Sequence, residues 1–153
     1  MEKILIAVDD TKGTKKAFTT CTEVCSCMRP GSVVLVYVEK FEGKSLMDEM
    51  LGKAEMSTLE EVLQGTEYQE ALDEKANKIL TYYQKALENK GVSGVTALVR
   101  KGHPAEEILK AAKKENADMI IIGSRGKRTS HLFMGSVSRE VANNAEVPVL
   151  LVK

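Results

Sequence analysis

Glycines and hydroxyl residues form two groups near the C-terminal end of the chain. Residues 120–126 (IIIGSRG) are an apolar run that ends on a glycine and enters a basic stretch with a second glycine. Residues 135–138 (GSVS) place a third glycine and two hydroxyls at the start of a predicted helix. Glycine lets a backbone approach a ligand closely, and a helix start presents free N–H groups and the positive end of a dipole. We therefore expect the two groups to cradle the phosphates of a nucleotide.

Acidic residues stand directly after the first two predicted strands. Asp9 and Asp10 follow the first strand and Glu39 follows the second, while Gly123 follows a later one. The carboxyl ends of parallel strands lie on one edge of a sheet, and ligands bind at that edge where the strand order reverses. We expect all four residues to share this edge.

The chain lacks the other common nucleotide-binding motifs. Neither G-x-x-x-x-G-K-[S/T] nor G-x-G-x-x-G occurs, which argues against kinase-like and dehydrogenase functions. No nucleophile is accompanied by a base and an orienting acid. The carboxylates of Asp9 and Asp10 are suitable ligands for Mg²⁺, so we expect weak ATP hydrolysis at most.

Length and charge indicate a single domain without a broad electrostatic partner. The 153 residues suit one domain, assigned here to 1–153, with its own core. Lys and Arg number 22, as do Asp and Glu, so the net charge of zero argues against nucleic acid or anionic lipid as partners. No apolar run approaches the ~20 residues of a membrane span. The chain starts directly on a strand pattern, without a signal-peptide layout, so we expect a cytoplasmic protein.

Three cysteines lie close together in the first predicted helix. Cys21 and Cys25 are one turn apart on an apolar stripe, and Cys27 follows. An odd number of cysteines argues against a disulfide framework, and the two histidines stand too far away for a metal-ligand pattern. The pattern favours small apolar residues on a buried helix face.

Five strand-like segments alternate with four helix-like segments. The strands are predicted at residues 4–8, 33–38, 95–99, 119–122 and 147–152. The helices are predicted at residues 12–28, 67–89, from 104 and at 136–144, with Thr11 as a cap of the first and Thr66 with Gln69 as a capping box of the second. The strands are nearly continuous apolar runs, which is typical of strands covered on both faces. The pattern predicts a single-domain α/β fold with a doubly wound, five-stranded parallel sheet.

Residues 41–65 form an insert between the second strand and the second helix. The segment is longer than a plain crossover loop, contains seven Leu and Met residues, and carries a second capping-box pattern at Ser57 and Glu60. It predicts one or two short amphipathic helices. These helices would cover the ligand edge, meet a partner or pack back onto the domain.

The chain resembles the universal stress protein family along nearly its whole length. The resemblance rests on the first strand ending in Val8-Asp9, on 102–108 (GHPAEEI), on 117–126 (ADMIIIGSRG), on 135–138 and on the tail 147–152 (VPVLLV). It implies a Rossmann-like fold of the adenine nucleotide alpha hydrolase type and a homodimer paired through 147–152. Members that bind ATP resemble the pattern Gly, two residues, Gly, nine residues, Gly, then Ser or Thr. This chain has eight residues in place of the nine.

The resemblance also implies binding roles for individual residues. Asp9 would lie near the ribose or a phosphate-bound Mg²⁺, and Val38 would offer an apolar edge and backbone groups to adenine. Ile122 and Gly123 would line the ribose and phosphate side. The phosphates would be contacted by Gly126, Gly135, Ser136, Val137 and Ser138. Arg125 is an additional residue of this chain, and its charge would offset that of the triphosphate. The implied cofactors are ATP and, bound with it, Mg²⁺.

Structural roles stay open for the same positions. Asp9 and Ser136 are suited to cap helices, and Val38 is suited to the core. Gly123 is suited to a turn after its strand. Arg125 belongs to a basic group that is equally compatible with a solvated loop.

Two other protein classes are weighed against an ATP-binding stress protein. Asp9-Asp10 is similar to the acidic pair of response-regulator receivers, but residues 99–102 (VRKG) stand where that family needs an acceptor aspartate. An interaction module of the same fold that binds no nucleotide stays open because of the shorter glycine loop. We predict an ATP-binding regulator of the stress response that acts through dimerisation or partner binding.

Overall fold

The structure is a computed structural model that describes residues 1–39, 67–124 and 134–153. The predicted insert at 41–65 and the capping residue Thr66 lie outside the described residues. So do Arg125 and Gly126 of the predicted phosphate loop.

A five-stranded sheet forms the centre of the fold. Its strands are β1 (Lys3–Ala7), β2 (Ser32–Glu39), β3 (Val95–Lys101), β4 (Met119–Gly123) and β5 (Val149–Val152). They pair in the order β3-β2-β1-β4-β5, and every pair is parallel. The strand order therefore reverses between β1 and β4, as expected for a doubly wound sheet.

Four described helices cover both faces of the sheet. They are α1 (Lys12–Met28), α2 (Glu67–Asn89), α3 (Pro104–Lys114) and α4 (Ser136–Asn144). Helices α1 and α2 pack on one face, and α3 and α4 pack on the other. This arrangement confirms the predicted α/β fold with its five-stranded parallel sheet.

The apolar strands supply a core on each face because successive side chains point to opposite sides. In β1, Ile4 and Ile6 face α1 and α2, whereas Leu5 and Ala7 face α3 and α4. All four are buried. The nearly continuous apolar runs in the sequence thus reflect two cores that share one sheet.

The helix ends follow local chain chemistry. The Thr11 hydroxyl accepts from the N–H of Thr14 at 3.3 Å and caps α1, as predicted. Helix α1 ends on Arg29, whose φ of 45° is left-handed, and α2 is followed by Gly91 with a φ of 81°. Pro104 occupies the first turn of α3, where its missing N–H costs nothing.

Some strand ends differ from the predictions. β3 continues through Arg100 and Lys101, and β2 through Glu39, because their backbones extend the parallel ladder regardless of charge. The last strand begins at Val149 rather than Val147, since Pro148 has no N–H to donate to a ladder. None of the helices in the described ranges is long and apolar enough to cross a membrane.

The cysteine prediction holds for Cys21 and Cys25. Both are buried on the inner side of α1, whereas Cys27 is exposed. Burial raises the pKa of Cys21 to about 12 and that of Cys25 to about 11. The two buried thiols therefore stay protonated near neutral pH and act as small apolar core residues.

Candidate functional site

The carboxyl ends of β1 and β4 define the candidate site. Ala7 of β1 lies in register with Ile122 of β4, so Asp9 and Ser124 each stand two residues beyond a paired position. Neighbouring strands are about 4.8 Å apart. The residues that follow β1 and β4 therefore lie side by side, at the place where the strand order reverses.

Asp9 is held in place by the first turn of α1. Its Oδ1 accepts hydrogen bonds from the Thr11 N–H at 2.8 Å, the Thr11 hydroxyl at 2.6 Å and the Thr14 hydroxyl at 2.6 Å. No hydrogen bond to Oδ2 is made by the residues that the structure describes. One carboxylate oxygen is thus committed to the chain, and the other retains its capacity to accept.

A second helix fixes the backbone of Asp9. The hydroxyl of Tyr83, a buried residue of α2, donates to the Asp9 carbonyl oxygen at 3.2 Å. The Tyr83 ring lies 4.3 Å from the ring of Phe18 of α1, measured between centroids. Burial raises the pKa of Tyr83, so the phenol keeps the proton that it donates.

The carbonyl oxygen of Ser124 joins β4 to α4. It accepts from the Gly135 N–H at 2.8 Å and from the Ser138 hydroxyl at 3.2 Å. The Ser124 N–H in turn donates to the Val152 carbonyl oxygen at 2.7 Å. Helix α4 therefore starts at a fixed position beside the ends of β4 and β5.

The N-terminus of α4 has no side-chain cap. Gly135 is the N-cap residue, and Ser136 is the first helical residue, so the capping role considered for Ser136 is wrong. Among the described residues, none accepts from the N–H groups of Ser136, Val137 or Ser138. Three donors at the positive end of a helix dipole are the arrangement that binds anions.

A buried hydroxyl lies at the same place. Ser124 is 6% exposed, and its Oγ makes no hydrogen bond within the described part of the chain. Buried polar groups are nearly always hydrogen-bonded, so an unpaired one needs a water or ligand to complete it. The hydroxyl belongs to the residue whose carbonyl oxygen joins the end of β4 to the start of α4.

An apolar wall continues the site along the sheet. Ile122 is buried on the face covered by α3 and α4, and half-buried Val38 packs against the same cluster. The expected apolar positions thus share one face with the start of α4. Glu39 lies at this edge as expected, but it is the last residue of β2 and does not follow the strand, and its side chain is buried beneath α2.

The structure brings most of the predicted site residues to one edge of the sheet. They are Asp9, Val38, Ile122, Gly123, Gly135, Ser136, Val137 and Ser138. Arg125 and Gly126 lie outside the described residues. The Ser138 hydroxyl is engaged by the carbonyl oxygens of Ser124 and Gly135 at 3.2 and 3.0 Å, so only its N–H faces the open helix end.

Three contributors were missed by the sequence analysis. Thr14 and Tyr83 fix Asp9, and Ser124 fixes α4. A hydroxyl five residues after an aspartate at a strand end was the only available signal for Thr14. Tyr83 lies on the apolar stripe of α2, which hides its polar end. Within the described ranges, no cluster of three or more His, Cys, Asp or Glu side chains could hold a metal ion.

Comparison with models of protein families identifies the family of this chain. The model of the universal stress protein family matches residues 1–153, which is the whole chain. The chain belongs to the universal stress protein family. The resemblance drawn from the sequence is thereby confirmed for the family and the fold, and both agree with the sheet described above.

Curated relatives extend the match. Universal stress protein MJ0577 of Methanocaldococcus jannaschii is 31% identical over 142 residues, which are 90% of this chain and 82% of that protein. A universal stress protein of Thermus aquaticus is 40% identical over 87 residues, 56% of this chain. That alignment spans 64% of the Thermus protein.

Solved structures share the fold. The MJ0577 structure superimposes with a TM-score of 0.76 at 29% identity and covers 99% of this chain and 95% of its own. A universal stress protein of Archaeoglobus fulgidus in complex with dAMP has a TM-score of 0.62 at 21% identity, covering 100% and 98%. A universal stress protein solved in complex with cAMP has a TM-score of 0.63 at 14% identity, and the match covers 99% of this chain and 95% of that protein. At these last two identities the likeness shows the fold alone.

Proposed function

We propose that this universal stress protein binds ATP at the carboxyl edge of the sheet, where the strand order reverses between β1 and β4. We propose further that the nucleotide regulates the association of the protein with itself or with a partner. The observation that carries the proposal is the uncapped start of α4 beside the unpaired Ser124 hydroxyl. Both features supply hydrogen bonds that the described chain leaves unused. An anion such as a phosphate group fits them by charge and by hydrogen-bond chemistry.

The other described residues fit the remainder of a nucleotide. The free oxygen of Asp9 suits a ribose hydroxyl or a phosphate-bound Mg²⁺, and the wall of Val38 and Ile122 suits an adenine ring. Gly123 is the last residue of β4 and has no side chain, which lets a ligand approach its backbone closely. The two fold relatives solved with dAMP and cAMP support an adenine nucleotide as the class of ligand.

The expected affinity is moderate. A helix terminus contributes about 0.3–1 kcal/mol per nearby charge, and up to ~2 kcal/mol when partly buried. A hydrogen bond to a charged group contributes about 1.5–3 kcal/mol. After the entropy of association is subtracted, a few such contacts suit a Kd in the micromolar range, or about −8 kcal/mol. This range suits a sensor that responds to cellular ATP.

Isothermal titration of the full chain with ATP, with and without Mg²⁺, tests the proposal. We expect micromolar binding of ATP, and adenine nucleotide in the mass spectrum of the purified protein. The Gly126→Val variant is expected to lose binding, because a glycine at this position of the motif lets the phosphates approach the backbone and a valine side chain would occupy that space. If the wild type shows no heat with any adenine nucleotide, an interaction module without nucleotide becomes the better description.

Two aspartates provide a matched pair of variants. Asp9→Asn weakens the acceptor that faces the site, so its affinity for Mg²⁺-ATP is expected to fall about tenfold, or ~1.4 kcal/mol. Asp10→Asn makes the same change one residue away, where the carboxylate pairs with Lys75 at 3.0 Å. We expect the Asp10 variant to bind as the wild type does. Equal losses in both variants would remove Asp9 from the site.

Turnover is expected to be slow. Asp9 is suited to orient Mg²⁺ with the nucleotide, but the described residues around it are threonine hydroxyls that already donate to its Oδ1. With three hydrogen bonds already accepted, Asp9 Oδ1 is poorly suited to take a proton from an attacking water. A fast multiple-turnover ATPase in the purified protein would contradict a regulatory role based on binding alone.

A further inference from the structure

A glutamate lies fully buried at the end of β2, on the face of the sheet opposite to its neighbour Val38. Glu39 is 1% exposed. Its Oε2 accepts from Gln69 Nε2 at 3.3 Å and lies 3.8 Å from Lys101 Nζ. Its Oε1 is buried and has no hydrogen bond within residues 1–39, 67–124 and 134–153. An ionised carboxylate in such a place is costly unless it is well paired.

Three elements meet around this carboxylate. Lys101 is the register partner of Glu39 across β2 and β3. Gln69 and Asp73 come from the first two turns of α2, and Gln69 Nε2 donates to Asp73 Oδ1 at 2.9 Å. Lys101 Nζ lies 4.0 Å from Asp73 Oδ1. We call these four residues the Glu39 cluster.

The cluster holds two carboxyl groups and one ammonium group. With both carboxyls ionised its charge is −1, and with one proton added its charge is zero. Two carboxyls in one site cannot ionise independently, so one of them binds a proton more tightly. Burial, and then the neighbouring Asp73, raise the pKa of Glu39, while Gln69 and Lys101 act in the opposite direction.

Two further charged groups lie on this side of the sheet. Lys75 of α2 pairs with Asp10 at 3.0 Å, and both groups act on the pKa of Tyr37. Tyr37 stands two residues before Glu39 on the same face of β2, and burial raises its pKa, so it stays neutral. Lys101 is the cation whose Nζ lies within 4.0 Å of both carboxyl groups.

We propose that the Glu39 cluster takes up one proton, and that the contacts of the cluster stabilise the packing of α2 against the ends of β2 and β3 in a pH-dependent way. With the proton bound, Glu39 is neutral and Lys101 balances the charge of Asp73. As the pH rises the proton leaves, the cluster retains a buried negative charge, and the first turns of α2 are held less tightly. The protein then responds to pH on the face of the sheet opposite to the wall of Val38 and Ile122.

The sign of the effect follows from linkage. A carboxyl whose pKa is raised on folding binds more protons in the folded chain than in the unfolded chain. Its stabilising contribution is complete below the ordinary glutamate pKa of 4.5 and is lost as the pH rises through the folded pKa. Stability should therefore fall with increasing pH in that window, by at most tenfold in the folding equilibrium constant per pH unit.

Urea unfolding of the full chain between pH 5 and pH 9 tests the proposal. The wild type is compared with Glu39→Gln, whose neutral amide replaces the protonated acid. The difference between the two profiles cancels the titration of the histidines, which both proteins share. We expect the variant to lack this decline in stability and to exceed the wild type in stability at high pH. Parallel profiles would overturn the proposal.

Two further variants keep the test decisive. Glu74→Gln removes the same charge from the exposed side of α2, where Glu74 pairs with Lys78 at 2.9 Å. Its profile is expected to run parallel to that of the wild type. Asp73→Asn removes the second cause of the raised pKa of Glu39 and is expected to move the decline to lower pH, a result that can be read even if Glu39→Gln does not fold. A decline at the wild-type pH in Asp73→Asn would exclude coupling between the two carboxyls.

Hydrogen exchange locates the effect. After correction for the intrinsic pH dependence of exchange, protection of the amides at 69–73 is expected to decrease as the pH rises. Protection of the amides at 80–87, in the buried half of the same helix, is expected to stay constant. A uniform decrease along α2 would show that pH acts on the whole helix and not through this cluster.

Discussion

A single carboxylate illustrates how the fold prepares its candidate ligand. Asp9 could be recognised in the sequence, because an aspartate directly after an apolar strand lies at the edge where α/β proteins bind ligands. Its surroundings could not, since Thr14 and Tyr83 meet it only when α1 and α2 pack together. Glu39 was harder still. A charged residue after an apolar run reads as the exit from a strand, and its partners on α2 are about 30 residues away along the chain.

The Thr14 hydroxyl provides a test at this scale. Thr14→Val keeps the shape and removes the 2.6 Å hydrogen bond to Asp9 Oδ1. Because the acceptor is charged and part-buried, we expect a loss of about 1.5–3 kcal/mol in the free energy of unfolding. Urea denaturation measures it.

Thr22→Val is the matched control in the same helix. Thr22 is also buried, but its hydroxyl donates to the neutral carbonyl oxygen of Thr19 at 2.7 Å. We expect its cost to be about 1 kcal/mol or less. A control that costs as much as Thr14→Val would show that Asp9 gains nothing from its threonines.

At the level of elements, the sequence predicted helices better than strand ends. The bounds of α1, α2 and α4 agree with the predictions because caps, glycines and apolar spacing are local signals. The ends of β2 and β3 depend on their neighbour in the sheet, and their charged last residues carry no local sign of pairing. The open start of α4 was predictable from its glycine and hydroxyls, but the role of Ser124 as its anchor was not.

Substitutions at the two left-handed residues that follow α1 and α2 are expected to change the stability in opposite directions. Arg29, at a φ of 45°, follows α1, and glycine adopts that conformation without strain. Arg29→Gly is therefore expected to stabilise the protein by up to ~1 kcal/mol. Gly91, at a φ of 81° after α2, has open space where the methyl group of an alanine would stand, so Gly91→Ala should cost about 1 kcal/mol through the backbone alone. Thermal unfolding of both variants measures the pair, and shifts of the same sign would contradict the conformational argument.

For the whole molecule, the two edges of the sheet differ in chemistry. The β3 edge carries Arg100 and Lys101, and charged side chains on an edge strand oppose pairing with another chain. The β5 edge (Val149–Val152) is half-buried and has no charge. This difference supports the dimer that the family resemblance implies at 147–152. The alternation of strands and helices was enough to predict the fold, whereas assembly depends on which edge is blunted.

A charged residue placed on either edge strand tests which edge, β3 or β5, forms the dimer contact. Leu150→Lys, on β5, is expected to shift the protein to monomers in sedimentation velocity, because pairing would bury the new charge. Thr96→Lys, on an exposed position of β3, is expected to leave the dimer intact. Circular dichroism checks that both variants are folded. Dimers that persist in Leu150→Lys would place the contact elsewhere.

The Ser124 carbonyl oxygen has a consequence for the spacing of the glycine motif. It accepts from both Gly135 and Ser138, so the end of β4 and the start of α4 are held together by hydrogen bonds of their own. The entropy of closing a loop grows slowly with its length. Having eight residues in place of nine between the second and third motif glycines is therefore compatible with an unchanged scaffold.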